Sequence, residues 1–185
     1  GTIEPRSFEA IKALRVSQQA SPALLDLVQH LQRLKSEGLT INLELKPTGN
    51  SEALIKACGP MVDMLVEDGH EVIISSFDPR VLNAAIDLKR AWRLAFLYES
   101  LDALRFLDFL DSKAALDLHP KHSLLDAEHL SRYEFSPFDK SERAFRTWTV
   151  DDSEEAARLA ALGVDAIITN KPQSLSTSPR PPETT

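Results

Sequence analysis

Residues 41–46 read Ile41-Asn42-Leu43-Glu44-Leu45-Lys46, and the reading of this stretch sets the fold for the rest of the chain. Side chains alternate across a strand, so Leu43 and Leu45 face one way while Asn42, Glu44 and Lys46 face the other. In a parallel sheet covered by helices both faces are buried, and strands normally run as near-continuous apolar segments. A polar row at the carboxyl end of such a strand therefore needs a cause. In barrels and open α/β sheets, ligands bind at that end. A carboxylate there can hold a hard cation, and an ammonium two residues on can reach a phosphoryl oxygen. The pattern alone leaves a second reading open: an edge strand whose Glu44 and Lys46 are solvated or paired with each other.

Working outward, helix and strand signals alternate. Before the strand, Ser21-Pro22 marks a helix start, followed by Leu24, Leu25, Leu27, Val28, Leu31 and Leu34 at helical spacing, with Gly38 as the stop. After it, residues 52–67 read as helical but interrupted or offset at Gly59-Pro60. Asp68-Gly69 is a turn, and residues 72–75 a short buried strand. Asp78-Pro79 opens a helix with Val81, Leu82, Ala85 and Ile86 on one face, and residues 93–98 form the next strand. Residues 100–113 read as a helix and 115–118 as a strand, and Ser123 caps a helix through Tyr133. Residues 145–150 are a strand, Asp151 or Asp152 caps an Ala- and Leu-rich helix ending at Gly163, and residues 166–169 are the last strand. Such alternation implies βαβ units and a parallel sheet of about six strands. Residues 1–173 are expected to form one domain, and the Ser-, Pro- and Thr-rich residues 174–185 a disordered tail.

Composition narrows the function. The chain has 185 residues, 43% hydrophobic and 26% charged, which is globular, and a net charge of −7 with no basic stripe disfavours nucleic acid. An acidic protein still takes an anionic phosphodiester if a bound cation supplies local positive charge. No run approaches the roughly 18–20 apolar residues of a membrane span. The single Cys58 reads as a small buried apolar residue and leans towards a reducing compartment such as the cytoplasm. Oligomeric state has no signature here.

Four segments resemble, in order, motifs of the glycerophosphodiester phosphodiesterase family. Leu43-Glu44-Leu45-Lys46 looks like its E-I-K strand and Ser75-Ser76-Phe77 like its S-F motif. Trp148-Thr149-Val150-Asp151 resembles W-T-V-N, and residues 163–172 (GVDAIITNKP) resemble the closing G-V-D-G-I-I-T-D-x-P. The resemblance covers roughly residues 37–175 and implies a TIM (β/α)8 barrel of the phospholipase-C-like type. It implies metal-dependent hydrolysis of a glycerophosphodiester to glycerol 3-phosphate and an alcohol. It makes Glu44 a ligand of calcium or magnesium and places Lys46 at the substrate phosphate. It sets Trp148 and Phe77 in the substrate pocket, although ordinary core packing explains those aromatics equally well. Asp151 stands where the family has Asn and can still cap the following helix, as can Asp152.

The family's acid–base histidines lie in an H-R-G and an H-D, and two further metal ligands in an E-x-D, all before the E-I-K strand. None occurs in residues 1–43, where the sole histidine is His30. His70 falls at a strand's entry end, and His119 and His122, with no third ligand, rank as surface or loop residues. A closed barrel takes eight strands and about 250 residues. The expectation is therefore an incomplete barrel, truncated before its third strand and without turnover. Two rivals remain: a non-catalytic barrel-like binding module of the same family, and another parallel α/β enzyme. The second lacks a G-x-S-x-G or a glycine-rich phosphate loop.

Overall fold

The structure, a computed structural model, describes residues 15–16, 19–20, 40–46, 49–90, 92–110, 116–129 and 143–175. The helix expected from Ser21 to Gly38, and the tail beyond Leu175, lie outside these residues. Two compact units are distinguished, one of residues 1–41 with 58–72 and the other of residues 42–57 with 73–185, and the boundary cuts through single elements.

Within the first unit, β1 (Arg15–Val16) and β2 (Gln19–Ala20) pair antiparallel, a hairpin without a sequence signal. Thr40 Oγ1, at the start of β3 (Thr40–Glu44), donates to Glu71 Oε2 at 2.7 Å, at the start of β4 (Glu71–Ser76). Helix α1 (Ser51–Glu67) runs unbroken through Pro60, against the expected interruption. Pro60 lies on the helix's exposed side, so the carbonyl it leaves without an N–H partner faces solvent. At the helix end, Gly69 at φ +90° lets its own N–H reach Val66 and the His70 N–H reach Leu65, closing the last turn.

In the second unit, Asn50 Oδ1 accepts from Ala53 N–H at 3.0 Å and starts α1. β3, β4, β5 (Arg93–Tyr98) and β6 (Leu116–Pro120) lie side by side in that order. β4–β5 and β5–β6 are parallel, as are β7 (Arg146–Thr147) and β8 (Ala166–Ile167). Parallel bridges Leu118–Phe145 and Lys121–Trp148 join β6 to β7. The six strands read from the sequence are thus all present, within a few residues of their expected bounds.

Helix α2 (Pro79–Asp87) buries Val81, Leu82, Ala84 and Ala85, and Asp78 caps it by accepting from Arg80 N–H at 2.9 Å. The segment expected as a helix over residues 100–113 is a 3-10 helix, Leu101–Phe109. Its leucines explain why: Leu101, Leu104, Leu107 and Leu110 recur every third residue, the period of that tighter helix. Ser123 lies inside a single 3-10 turn, His122–Leu124, instead of capping a helix, and residues 130–142 are outside the described set. Helix α3 (Ser153–Ala161) is capped by Asp152, which accepts from Glu154 and Glu155 N–H, and ends at Gly163, φ +85°. A last helix, α4 (Pro172–Leu175), takes in Ser174 and Leu175 from the segment read as tail. Leu175 packs with Val164 and Ile167 on the buried cluster of Leu125, Val150, Ala156 and Leu159.

One buried charge joins three strands. Asp117, 2% exposed in fully buried β6, accepts from Arg93 Nε at 2.6 Å, Arg93 Nη2 at 3.0 Å and Ala144 N–H at 2.9 Å, and pairs with Arg146 Nη1. Burial pushes its carboxyl up, but the Arg93 and Ala144 hydrogen bonds and the two guanidinium charges outweigh this, so its pKa falls below 3.8. That contribution is therefore complete above about pH 4 and lost as pH falls through the lowered value. Asp117→Asn should cost roughly 3–5 kcal/mol in urea unfolding at pH 7. The gap to wild type should narrow on acidification.

Candidate functional site

Glu44 ends β3 and Lys46 follows two residues later, with Lys46 Nζ 3.3 Å from Glu44 Oε1. The side chains are 34% and 76% exposed, and among the described residues β3 is an edge of its four-stranded sheet. The expected alternation holds, with Asn42, Glu44 and Lys46 exposed, but the face they occupy is open, not buried. The pairing with each other is the alternative that the pattern had left open. In so exposed a place the ion pair is worth about 0–1 kcal/mol, so the ammonium is held loosely and can turn to an incoming anion.

The next strand's end is pinned against this one. Leu45 N–H donates to the Ser75 carbonyl at 2.8 Å, and Ser76 Oγ donates to the Leu45 carbonyl at 2.7 Å while accepting from Asp78 N–H at 3.1 Å. Arg80 closes on Asp78 through Nε at 2.9 Å and Nη2 at 2.6 Å, and this hydrogen bonding holds the Asp78 carboxyl below its usual range. Phe77, between them, is 42% exposed, and its ring meets that of Trp148 edge-on at 5.3 Å and 83°. The Trp148 indole N–H in turn donates to the His119 carbonyl at 2.7 Å. These ends enclose an open pocket of about 820 Å³, lined by Leu45, Lys46, Ser76 and Phe77, then by Asp78, Pro79, Arg80 and Asn83 of the α2 start, and by Phe106. Lys46 and Phe77 thus share one pocket, and Trp148 reaches it through Phe77. Glu44 enters only through Lys46.

Asp151 does not cap α3, as Asp152 does so. Asp151 Oδ1 accepts from Thr169 Oγ1 at 2.9 Å and Asn170 N–H at 2.8 Å, and Oδ2 from Asn170 Nδ2 at 3.1 Å. These bonds, the Asn170 side chain foremost, lower its pKa. Two adjacent aspartates before one helix carry no signal for which takes the cap.

The histidines do not gather. His122 Nδ1 lies 2.8 Å from Glu155 Oε1, and His129 Nε2 2.8 Å from the Tyr98 hydroxyl. His70 is buried just before β4. His119 is neither surface nor loop: it is fully buried in β6, and among the described residues neither ring nitrogen has a hydrogen-bond partner. Among the described residues no three His, Cys, Asp or Glu side chains stand together as a metal site. Glu44 is one carboxylate already facing an ammonium, so the described residues do not by themselves fit a divalent cation.

Burial foremost, then the Arg146 charge, against Asp117 and with Arg93, lowers the His119 pKa from 6.5 to about 4. The folded state therefore keeps this ring neutral while the unfolded chain takes up a proton below about pH 6.5. Stability should fall as pH drops from 6.5 towards 4, and His119→Gln should flatten that limb of a pH series of melting temperatures.

The family model described as Glycerophosphoryl diester phosphodiesterase family matches residues 6–174. The chain is similar to a solved phosphodiesterase of Oleispira antarctica in complex with the product sn-glycerol-3-phosphate. The two are 23% identical with TM-score 0.76, over 95% of this chain and 71% of that one. A putative glycerophosphoryl diester phosphodiesterase from Silicibacter pomeroyi is 18% identical with TM-score 0.68, over 84% of this chain and 55% of that one. A glycerophosphodiester phosphodiesterase from Parabacteroides distasonis is 21% identical with TM-score 0.65, over 92% and 69%. No curated protein sequence matches the chain. At these identities the structures speak for the fold, and β3 to β8 follow the strand–helix order of a (β/α)8 barrel.

Proposed function

The chain belongs to the glycerophosphoryl diester phosphodiesterase family, and from that premise we propose that its pocket binds the glycerol phosphate part of a glycerophosphodiester, with Lys46 on the phosphoryl oxygens. The observation that carries this is the meeting of Lys46, Ser76 and Phe77 on one pocket at the carboxyl ends of β3 and β4. Phe77 is backed there by Trp148. The Lys46 ammonium is a mobile point charge suited to a phosphate, and Glu44 orients it until the anion arrives. The aromatic edge offers the carbon face of glycerol an apolar wall. The parent reaction is hydrolysis to glycerol 3-phosphate and an alcohol. Glu44 stands where the family places a metal-binding carboxylate, and further donors would be needed to complete such a site.

Binding of glycerol 3-phosphate, titrated by calorimetry at low ionic strength, should be saturable and weaken roughly five- to tenfold in Lys46→Ala. Equal affinity in wild type and variant would remove Lys46 from the phosphate site.

For hydrolysis these 185 residues contain no H-R-G, H-D or E-x-D. Of the described histidines, His122 is engaged with Glu155 and His129 with Tyr98. We therefore expect no choline release from glycerophosphocholine with calcium or magnesium, followed by a coupled choline assay. Metal-dependent release by the 185-residue chain would overturn that expectation. A non-catalytic binding module of the same family gives the same binding result.

A further inference from the structure

Two buried polar side chains on one face of the four-stranded sheet take no part in the pocket at its strand ends. Ser75 in β4 and His119 in β6 are both 0% exposed. Among the described residues, neither the Ser75 hydroxyl nor either His119 ring nitrogen has a hydrogen-bond partner. Burying such groups dry forfeits their hydration with nothing in return, which folded proteins rarely tolerate.

Register sets how the two stand to each other. Ser75 pairs with Ala95, Ala95 with Asp117, and Leu97 with His119. Paired residues share a face, as do residues two apart on one strand, so Ser75, Ala95, Asp117 and His119 lie on the same side. Neighbouring strands are about 4.8 Å apart and residues two apart about 6.6 Å, which sets the two Cα atoms about 12 Å from each other. A direct bond between the side chains is out of reach at that spacing. With both extended towards each other, about 6 Å remains, which is two hydrogen-bond lengths. Level with Ser75, β5 contributes only the methyl group of Ala95.

The neighbouring charges decide what fits between them. The bridges Leu118–Phe145 and Lys121–Trp148 set Arg146 level with His119, and both Arg93 and Arg146 close on Asp117. A cation would meet two guanidinium groups, and an anion would meet the Asp117 carboxylate. Burial foremost, then the Arg146 charge, keeps the His119 ring neutral, with its pKa lowered to about 4. A neutral imidazole offers one donor and one acceptor nitrogen, and a serine hydroxyl is both. The occupant that answers these atoms is small, neutral and able both to donate and to accept.

We propose that Ser75 and His119 share an internal water site on the face of the sheet that carries Asp117. Neither residue lines the pocket beside Lys46. The site ties β4 to β6 across β5, where Ala95 offers no polar group. The His119 carbonyl accepts from the Trp148 indole N–H at 2.7 Å, so the residue that binds this water also holds the aromatic pair behind the pocket.

The test is NMR on the isotope-labelled 185-residue chain at pH 7, with the His119 ring signals assigned by their loss in His119→Gln. The carbon-bound ring protons should show a cross-peak to water, of the sign that marks a residence time longer than molecular tumbling. Ser75→Ala should weaken that cross-peak and move the ring nitrogen shifts. In His119→Gln, which keeps a donor and an acceptor, a long-lived water should remain next to the new amide. Urea unfolding supplies a second reading. The unfolding constant of Ser75→Ala/His119→Leu should fall short of the product of the two single effects by about threefold or more.

A wild-type His119 ring with no long-lived water beside it, or bonded instead to a protein side chain, would overturn the proposal. Single effects that simply multiply would overturn the shared site in the same way. Should the leucine variant not fold, the wild-type cross-peak and its response to Ser75→Ala decide alone.

Discussion

The Asp117 carboxylate sits in a strand whose five residues are all buried, and its neutralisation constrains everything around it. A buried carboxylate is tolerable only when charge and hydrogen bonds surround it. Arg93 supplies them from β5, Arg146 from β7, and Ala144 adds a backbone N–H just before β7. β7 is two residues long and has few ladder bonds of its own. The ion cluster therefore does for β7 what strand length does for β5 and β6. Two residues beyond Arg146 comes Trp148, fixed by its indole N–H on the His119 carbonyl and its carbonyl on His122 N–H. The edge contact that steadies Phe77 follows from that placement. An interior ion cluster and a surface aromatic pair are thus parts of one arrangement.

The site itself is assembled from strand ends that are held by side chain to backbone bonds. Ser76 is the joint: it ties the end of β4 to the end of β3 and also meets the N–H of the residue that caps α2. Lys46 depends on that joint for its position, because among the described residues β3 has a neighbouring strand on one side only. The exposure of Glu44 and Lys46 is what an edge strand gives, and it is also what an ammonium needs to meet a phosphate from solution. The two readings that the alternation of residues 41–46 left open are in this sense compatible.

Strand positions were legible because apolar runs such as Val72-Ile73-Ile74 and Leu94-Ala95-Phe96-Leu97 have one physical outcome when turns bound them. The cap at Asp78 was equally legible, since Asp before Pro has few other uses. The unbroken helix through Pro60 was not, because the cost of a proline depends on whether its side of the helix is exposed. The choice between Asp151 and Asp152 turned on a partner, Asn170, that is remote in sequence. Of the site, the residues that sit in short motifs, Lys46, Ser76, Phe77 and Trp148, were visible. Phe106 and Arg80 were not, since a lining residue is defined by what folds beside it. Asp117 could have been found: a carboxylate in the middle of Leu116-Asp117-Leu118 cannot be buried unpaired, and arginines are its best partners.

Binding and chemistry make different demands on the same strand ends. An ammonium at the rim and an apolar wall need only the carboxyl ends of β3 and β4 with the support of Trp148, and Lys46, Phe77 and Trp148 all lie in one unit of the structure. Hydrolysis needs several carboxylates converging on one cation, or an acid and a base within reach of one phosphoryl group. Among the described residues four acids on or beside the strands are held in pairs: Asp117 with two arginines, Asp78 with Arg80, Asp151 with Asn170 and Thr169, and Glu155 with Arg158 and His122. Glu44 faces an exposed lysine, an arrangement that an anion bound at Lys46 would relax, and Glu99, just beyond β5, is exposed. The phosphate contact proposed for Lys46 therefore makes no demand on these paired carboxylates, whereas hydrolysis would.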